Sequence, residues 1–386
     1  MKEVRANEDI MKVFAEKLRM YRRMLGLSQE ELGEKIMYTG KAVSKWERGT
    51  VIPPATALIA LADYFNTSLD DLLGVYTKPS YYLGIDGGGT KTAFCLADEE
   101  GNVIRYLRLG GSNPFDLGFE RATAVLDKGI REVTQGYPRR RISMFAGLAG
   151  GGSGDLPVKL KAFFDGYGFY KAMNGSDAQN IIAAALGKEN GIAVIMGTGS
   201  SAFVQKDEQV HRVGGLGYLF SQGGCGYSIG NAAIRVSCAM EDGSGKKTAI
   251  RKYLLKRLGS QTVLEKLSLF YELGKSGIAS YNDVVFDAYK EKKDPIAEEI
   301  LRTNMESVAK LISVGGGKNL LGGSKEKIKV ILVGGLTNEY ETLQPFLLNA
   351  LAKLDDLEKY DIKVYDKDIV YGALLCAGLT KVENNG

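Results

Sequence analysis

The chain has 386 residues, 45% hydrophobic and 25% charged, with a formal net charge of +4. That length suits two or three folded units, and an ordinary globular composition without a run of roughly 20 apolar residues argues against a membrane span. Four scattered cysteines (Cys95, Cys225, Cys238 and Cys376) with no CxxC pair, and the single histidine His211, argue against a structural zinc or a cysteine-ligated cluster and for a reducing, cytoplasmic location.

From Val13 onward apolar residues recur at helical spacing through Leu18 and Tyr21, and Gly26 ends this first helix. Ser28 with Glu31 three residues later forms a capping box, so a second helix opens there and runs to about Met37. After the turn YTG, the segment AVSKWERG places Val43 and Trp46 on one face and Lys41, Ser44 and Lys45 on the other. Pro53 and Pro54 start a fourth helix, and Ser68 caps SLDDLLG. Two short helices joined by a tight turn, the second presenting polar side chains outward, form the layout of a helix-turn-helix DNA reader.

LGLSQEELGEKI, GKAVSKWERG and LIALADYFNTSLDDLLG resemble the Cro/repressor-type (XRE-like) helix-turn-helix domain over nearly its whole length. The resemblance implies that Gln29 contacts a DNA phosphate while Thr39, Lys41, Ser44 and Lys45 face the major groove. There a lysine matches the O6 and N7 acceptors of guanine. Gly40 stands where relatives carry a long polar side chain. Readers of this kind address two half-sites about 34 Å apart, so a homodimer on a double-stranded operator is expected.

The helical unit covers residues 1–75, and 76–80 form a linker ahead of a change in period. YYLGID and TAFCLAD read as strands on either side of GGGT, and GIAVIM and AFVQKD repeat the arrangement around GTGSS. The two units imply a duplicated architecture, with one lobe at 81–190 and a second at 191–386. Glycines in such turns let backbone N–H groups approach an anion closely, and phosphate is the expected one. Neither turn is a Walker loop, because GxxxxGK[ST] is absent and a strand follows each. Asp86, immediately before the first glycines, is placed to hold Mg²⁺ through water beside the phosphates. Asp177 in NGSDAQNIIAAAL is either a second site carboxylate or a helix N-cap.

DGGGTKT, SDAQNIIAAAL, IMGTGSS and ILVGGLTNEYETLQPFL, with the ending DIVYGALLCAG, resemble the nucleotide-binding motifs of the superfold shared by acetate and sugar kinases, heat-shock ATPases and actin. Within it they are most similar to the N-acetylglucosamine kinase and BadF/BadG/BcrA/BcrD ATPase family. The resemblance implies an α/β domain of two ribonuclease-H-like lobes, an actin-like ATPase fold behind the all-α unit, closing on ATP and Mg²⁺. Gly87, Gly88, Gly89, Thr90 and Lys91 then surround the phosphates together with Asp177. Gly197, Thr198, Gly199 and Ser200 form the second phosphate turn, and Gly334 and Gly335 lie against adenosine. The cysteines do not match those with which the family's dehydratase activators hold an iron–sulfur cluster.

In the family's sugar kinases, the loop matching GLAGGGSGDL carries the aspartate that takes the proton from the sugar hydroxyl. Motif alignment puts Gly152 at that place. Asp155, three residues on, is either a substitute catalytic base or the cap of the next helix. In GGLGYLFSQGGCGYSIG, Leu216, Gln222 and Gly223 replace a tryptophan and an Asp-Glu pair that grips the sugar. Asn113 keeps the family's sugar contact, so Asn113 and Gln222 are the substrate-binding candidates. The resulting expectation is a transcriptional regulator whose kinase-like domain senses nucleotide and an amino sugar. The alternatives are an active amino-sugar kinase fused to a regulatory DNA-binding domain, and an ATPase that drives a partner protein.

Overall fold

A computed structural model describes residues 7–74, 78–220, 223–323 and 326–382. Five helices build the N-terminal unit: α1 (Asn7–Met24), α2 (Gln29–Lys35), α3 (Gly40–Glu47), α4 (Ala55–Tyr64) and α5 (Leu69–Leu72). The capping box is present: Glu31 N donates to Ser28 Oγ at 3.1 Å and Ser28 N to Glu31 Oε2 at 2.7 Å. Thr39 starts α3 by accepting from Ala42 N. α2 stops at Lys35, short of the expected Met37, because Met37 takes φ of 61° and turns the chain toward Thr39. Phe14, Leu18, Leu32, Val43, Trp46 and Leu61 meet in one buried cluster, so each helix contributes its apolar stripe.

Beyond the linker, two five-stranded sheets repeat a single pattern. The first has the order β3-β2-β1-β4-β5, from β1 (Tyr81–Gly87), β2 (Lys91–Asp98), β3 (Val103–Gly110), β4 (Ile142–Leu148) and β5 (Lys171–Ser176). The second, β8-β7-β6-β9-β10, uses β6 (Gly191–Met196), β7 (Ser200–Lys206), β8 (Gln209–Gly214), β9 (Ile328–Val333) and β10 (Tyr360–Val364). In each, the first three strands form an antiparallel meander, and the fourth runs parallel to the first and pairs with a parallel fifth. β4 is buried along its whole length, which is why ISMFAGL reads as a nearly continuous apolar run rather than an alternation, its one polar side chain, Ser143, donating to Ala377 O.

Helices flank both sheets. α6 (Pro114–Leu117), α7 (Phe119–Val133), α8 (Leu156–Asp165) and α9 (Asp177–Ala185) belong to the first lobe. The second carries α10 (Gly226–Glu241), α11 (Ile250–Leu258), α12 (Leu267–Glu272), α13 (Gly274–Ala279), α14 (Asp283–Lys292), α15 (Pro295–Gly315) and α16 (Tyr340–Ala352). The last helix, α17 (Val370–Cys376), lies in the stretch assigned to the second lobe but returns to the first sheet, where Val370 and Leu374 cluster with Ala93, Cys95 and Ala97. Its approach to α9 requires a glycine, since a Cβ on Gly372 would sit 1.9 Å from Asn180 O. The chain therefore crosses between the lobes twice. Among the described residues no helix is long and apolar enough to cross a membrane.

Candidate functional site

α3 presents the face that the sequence marks for DNA. Thr39, Lys41 and Lys45 are exposed, Ser44 is half-buried, and Val43 and Trp46 are turned into the core. The gap at Gly40 is filled from the neighbouring helix, where a Cβ would lie 2.9 Å from the Glu30 side chain. Gln29 is placed differently from the expectation. Its Nε2 donates to Glu47 Oε2 at 2.8 Å, and Glu47, 3% exposed, also takes Arg22 Nε at 2.6 Å. Burial alone would raise the Glu47 carboxyl, but the hydrogen bonds from Arg22 and Gln29 outweigh it and hold the group below its usual range. The side chain of Gln29 thus serves this buried ion pair, and its backbone N–H stands at the start of α2. Lys45→Ala is expected to weaken operator binding by about 1 to 3 kcal/mol in a gel shift, and unchanged affinity would remove Lys45 from the base-reading set.

The first glycine turn is a tight hairpin. Gly88 N donates to Lys91 O at 2.9 Å, and Gly89, Thr90 and Lys91 are left exposed at the tip. Ala149 N donates to Gly87 O at 2.7 Å, which brings the loop after β4 alongside. In the second turn Gly197 N donates to Gly199 O, and the first amides of α10, Gly226 N and Tyr227 N, donate to Gly197 O and Thr198 O. Gly334, with φ of 121°, packs against this turn so closely that a Cβ would be 2.7 Å from Met196 O, while nothing lies within 4 Å of a Cβ on Gly335.

Asp86 closes β1 beside the first turn. Asn180 Nδ2 donates to Asp86 Oδ1 at 2.8 Å, and the Asn180 Oδ1 is buried without a partner among the described residues. Burial pushes the Asp86 carboxyl up to about 6, with the charges of Asp177 and Asp368 adding to it. The raised value means that this group favours the folded state most below its ordinary value near 4, and that the contribution is lost as the pH rises through about 6. In ligand-free protein held in chelator, Asp86→Asn should therefore raise stability at pH 8 by on the order of 1–2 kcal/mol, allowing for its partial exposure. The gain should fade as the pH falls toward 4. Identical melting of mutant and wild type at pH 8 would contradict this.

A cavity of about 630 Å³ lies between the lobes, lined among others by Gly152, Asp177, Thr198, Arg212 and Lys275. Asp177 is the first residue of α9 and not its cap. Ser176 is the cap, in a box closed by Gln179. Burial raises the Asp177 carboxyl. Gly152 has no positive φ, and a Cβ there would meet only Ser176 Cβ at 3.6 Å and Ser176 N at 4.0 Å. Asp155 lies away from the cavity. It precedes α8 without a side-chain cap, is 70% exposed, and pairs with Lys159 Nζ at 2.7 Å, whose hydrogen bond and charge hold the carboxyl below its usual range.

The substrate half also departs from expectation. Asn113 caps α6 by accepting from Phe115 N at 3.0 Å, and its Nδ2 donates to Asp116 Oδ2 at 2.7 Å, so both ends of this buried amide are engaged. Gln222 lies outside the described residues. Leu216 is 68% exposed, and Gly223 has φ of 113° against Asn304 and Ser307. Three contributors escaped the sequence reading. Asn180 hides in an alanine-rich helix, and Lys275 sits in a segment without a motif. Arg212 carries the one available signal, a cation just before the glycines at 214 and 215.

The sequence profile of the BadF/BadG/BcrA/BcrD ATPase family matches residues 83–375, and a helix-turn-helix profile matches 18–72. The N-acetylmuramic acid/N-acetylglucosamine kinase of Clostridium acetobutylicum is 28% identical over 306 residues, covering 77% of this chain and 98% of that protein. A putative N-acetylglucosamine kinase from Chromobacterium violaceum superposes with a TM-score of 0.62 at 22% identity, over 78% of this chain and 99% of that one. A ROK family transcriptional regulator, a homologue of the E. coli MLC protein, aligns over 96% of both chains with a TM-score of 0.50 at 14% identity. The two solved structures establish the likeness of fold.

Proposed function

The chain belongs to the BadF/BadG/BcrA/BcrD ATPase family, with a helix-turn-helix domain fused ahead of the family's fold, and from that premise we propose that it is a DNA-binding transcriptional regulator that senses nucleotide and an amino sugar. The observation that carries this reading is the pairing of an exposed α3 face with a cleft whose phosphate turns are built and whose base position, Gly152, bears no side chain. ATP with Mg²⁺ fits the residues present. The exposed tip at Gly89, Thr90 and Lys91 and the turn at Gly197–Ser200 would hold the phosphates, Asp86 the ion through water, and the open side of Gly335 the adenosine. When bound, the nucleotide supplies a transferable phosphoryl group. The regulator acts as a homodimer, since one small reader neutralises too few phosphates to bind firmly at physiological salt.

The test is the operator affinity of the full chain with and without Mg-ATP and a panel of amino sugars. A ligand-dependent shift supports the reading, and constant affinity across the panel overturns it. One observation favours a second reading, that of a working kinase: Asp177 is a carboxylate in the cavity, beside the Ser176 that faces the vacant position of Gly152. In that case sugar phosphorylation is robust in the native chain and falls with Asp177→Asn.

A further inference from the structure

We infer that the small molecule taken by the cleft carries its own negative charge: a phosphorylated or carboxylated amino sugar rather than a neutral one. This rests on the reading of the cleft as a sensor and names its ligand class. A neutral sugar offers mostly hydroxyl donors, and carboxylates are the strong acceptors for them. The three places where the resemblance puts carboxylates for that purpose are Gly152, Gln222 and Gly223, all uncharged. The cavity instead presents two cations, Arg212 from β8 and Lys275 from α13, against one carboxylate, Asp177. Neither cation makes an ion pair among the described residues. Arg212 Nε donates to Gly214 O at 3.0 Å, which keeps the guanidinium beside Gly215, and its other N–H groups make no hydrogen bond among the described residues.

Both charges act on Asp177, the first-lobe residue beside the empty base position, so they bear on the place where an acceptor sugar sits. The nucleotide phosphates have two glycine turns to meet them, in which Gly88 N and Gly197 N close the turns while the amides of Gly89, Thr90, Thr198 and Gly199 take no part in the described backbone bonds. Hydroxyls of Ser153 and Ser176 add to a lining with an excess of positive charge. A site of this kind accepts oxyanions, and a cavity of about 630 Å³ has room for a sugar with its charged substituent.

Calorimetry on the full chain saturated with Mg-ATP tests this with four probes: N-acetylglucosamine, N-acetylglucosamine 6-phosphate, N-acetylmuramic acid and inorganic phosphate. The expected result is that one of the two acidic sugars binds at least tenfold more tightly than the neutral sugar and than inorganic phosphate. Which of them does so distinguishes a phosphate from a carboxylate as the recognised group. Lys275→Gln and Arg212→Ala should each remove that preference, while Arg212→Lys, which keeps the charge, should retain part of it. Binding of the neutral sugar as tight as that of both acidic ones overturns the inference, as does inorganic phosphate binding as tightly as either. Operator assays with the same probes separate this from the sensor reading. An acidic sugar that binds but leaves DNA affinity unchanged defeats the sensor reading alone, and a neutral sugar that alone shifts DNA affinity defeats the ligand class alone.

Discussion

Gly152→Asp is expected to raise the rate of N-acetylglucosamine phosphorylation by on the order of 10²-fold or more over the native chain, with ATP affinity unchanged. Phosphoryl transfer depends mainly on positioning and charge neutralisation, and a placed base adds roughly 10²- to 10⁴-fold on top. The backbone at residue 152 accepts the change. Its neighbours Gly150 and Gly154 have φ of 77° and 59°, which strain any side chain, but Gly152 does not, and a Cβ there makes only van der Waals contact with Ser176. The new carboxylate would enter the cavity that residue 152 already lines. Asp155→Asn is the control and should change nothing, because Asp155 is a surface partner of Lys159. The decisive measurement is initial rate at saturating ATP and sugar. A variant that binds ATP normally yet turns over no faster would show that the altered positions Leu216, Gln222 and Gly223, rather than the missing base, limit the chemistry.

How much of this was legible in the sequence follows from the range of the interactions involved. The helix-turn-helix could be read because its signals are local: the Ser28–Glu31 box, the Thr39 turn and the alternation of Val43 and Trp46 with Lys41 and Lys45 all act within one helical turn. The duplicated sheets were legible for the same reason, since each strand, glycine turn and strand is contiguous. What could not be read were contacts that the topology makes. Gln29 is drawn inward by Glu47, 18 residues away, and nothing around QEEL announces that. Helix α17 belongs to the first sheet although it is the last helix in the chain, and the Ala and Gly residues that let it pack on α9 look in sequence like ordinary helix formers and a breaker. At Asp177 the choice between cap and site residue turned on a shift of one position: Ser176 takes the cap, and the Asp177 carboxylate, which accepts from Ala178 N at 3.0 Å, lines the cavity.

Asp86→Ala is expected to reduce Mg²⁺-dependent ATP affinity by on the order of 10²-fold or more, measured by calorimetry on the full chain. The carboxylate is kept where burial opposes its charge, and its pKa of about 6 leaves most of it ionised at neutral pH, at a cost in stability of the ligand-free protein. A group held in that condition beside an exposed glycine turn is matched by a ligand that brings positive charge, and the ion accompanying a triphosphate does so. Asn180 fixes the carboxylate by donating to Oδ1 at 2.8 Å, and Oδ2 makes no hydrogen bond among the described residues. The same residue therefore gives opposite results in two assays, since removing its charge stabilises the empty protein and weakens the complex. Metal dependence separates this role from a packing defect. With chelator present, wild type and Asp86→Ala should bind ATP equally weakly, and the difference should appear only as Mg²⁺ is titrated in. Wild-type affinity in the mutant at saturating Mg²⁺ would mean that the cleft does not use Asp86 to hold the ion, and a deficit of equal size with and without metal would assign the residue to the shape of the turn instead.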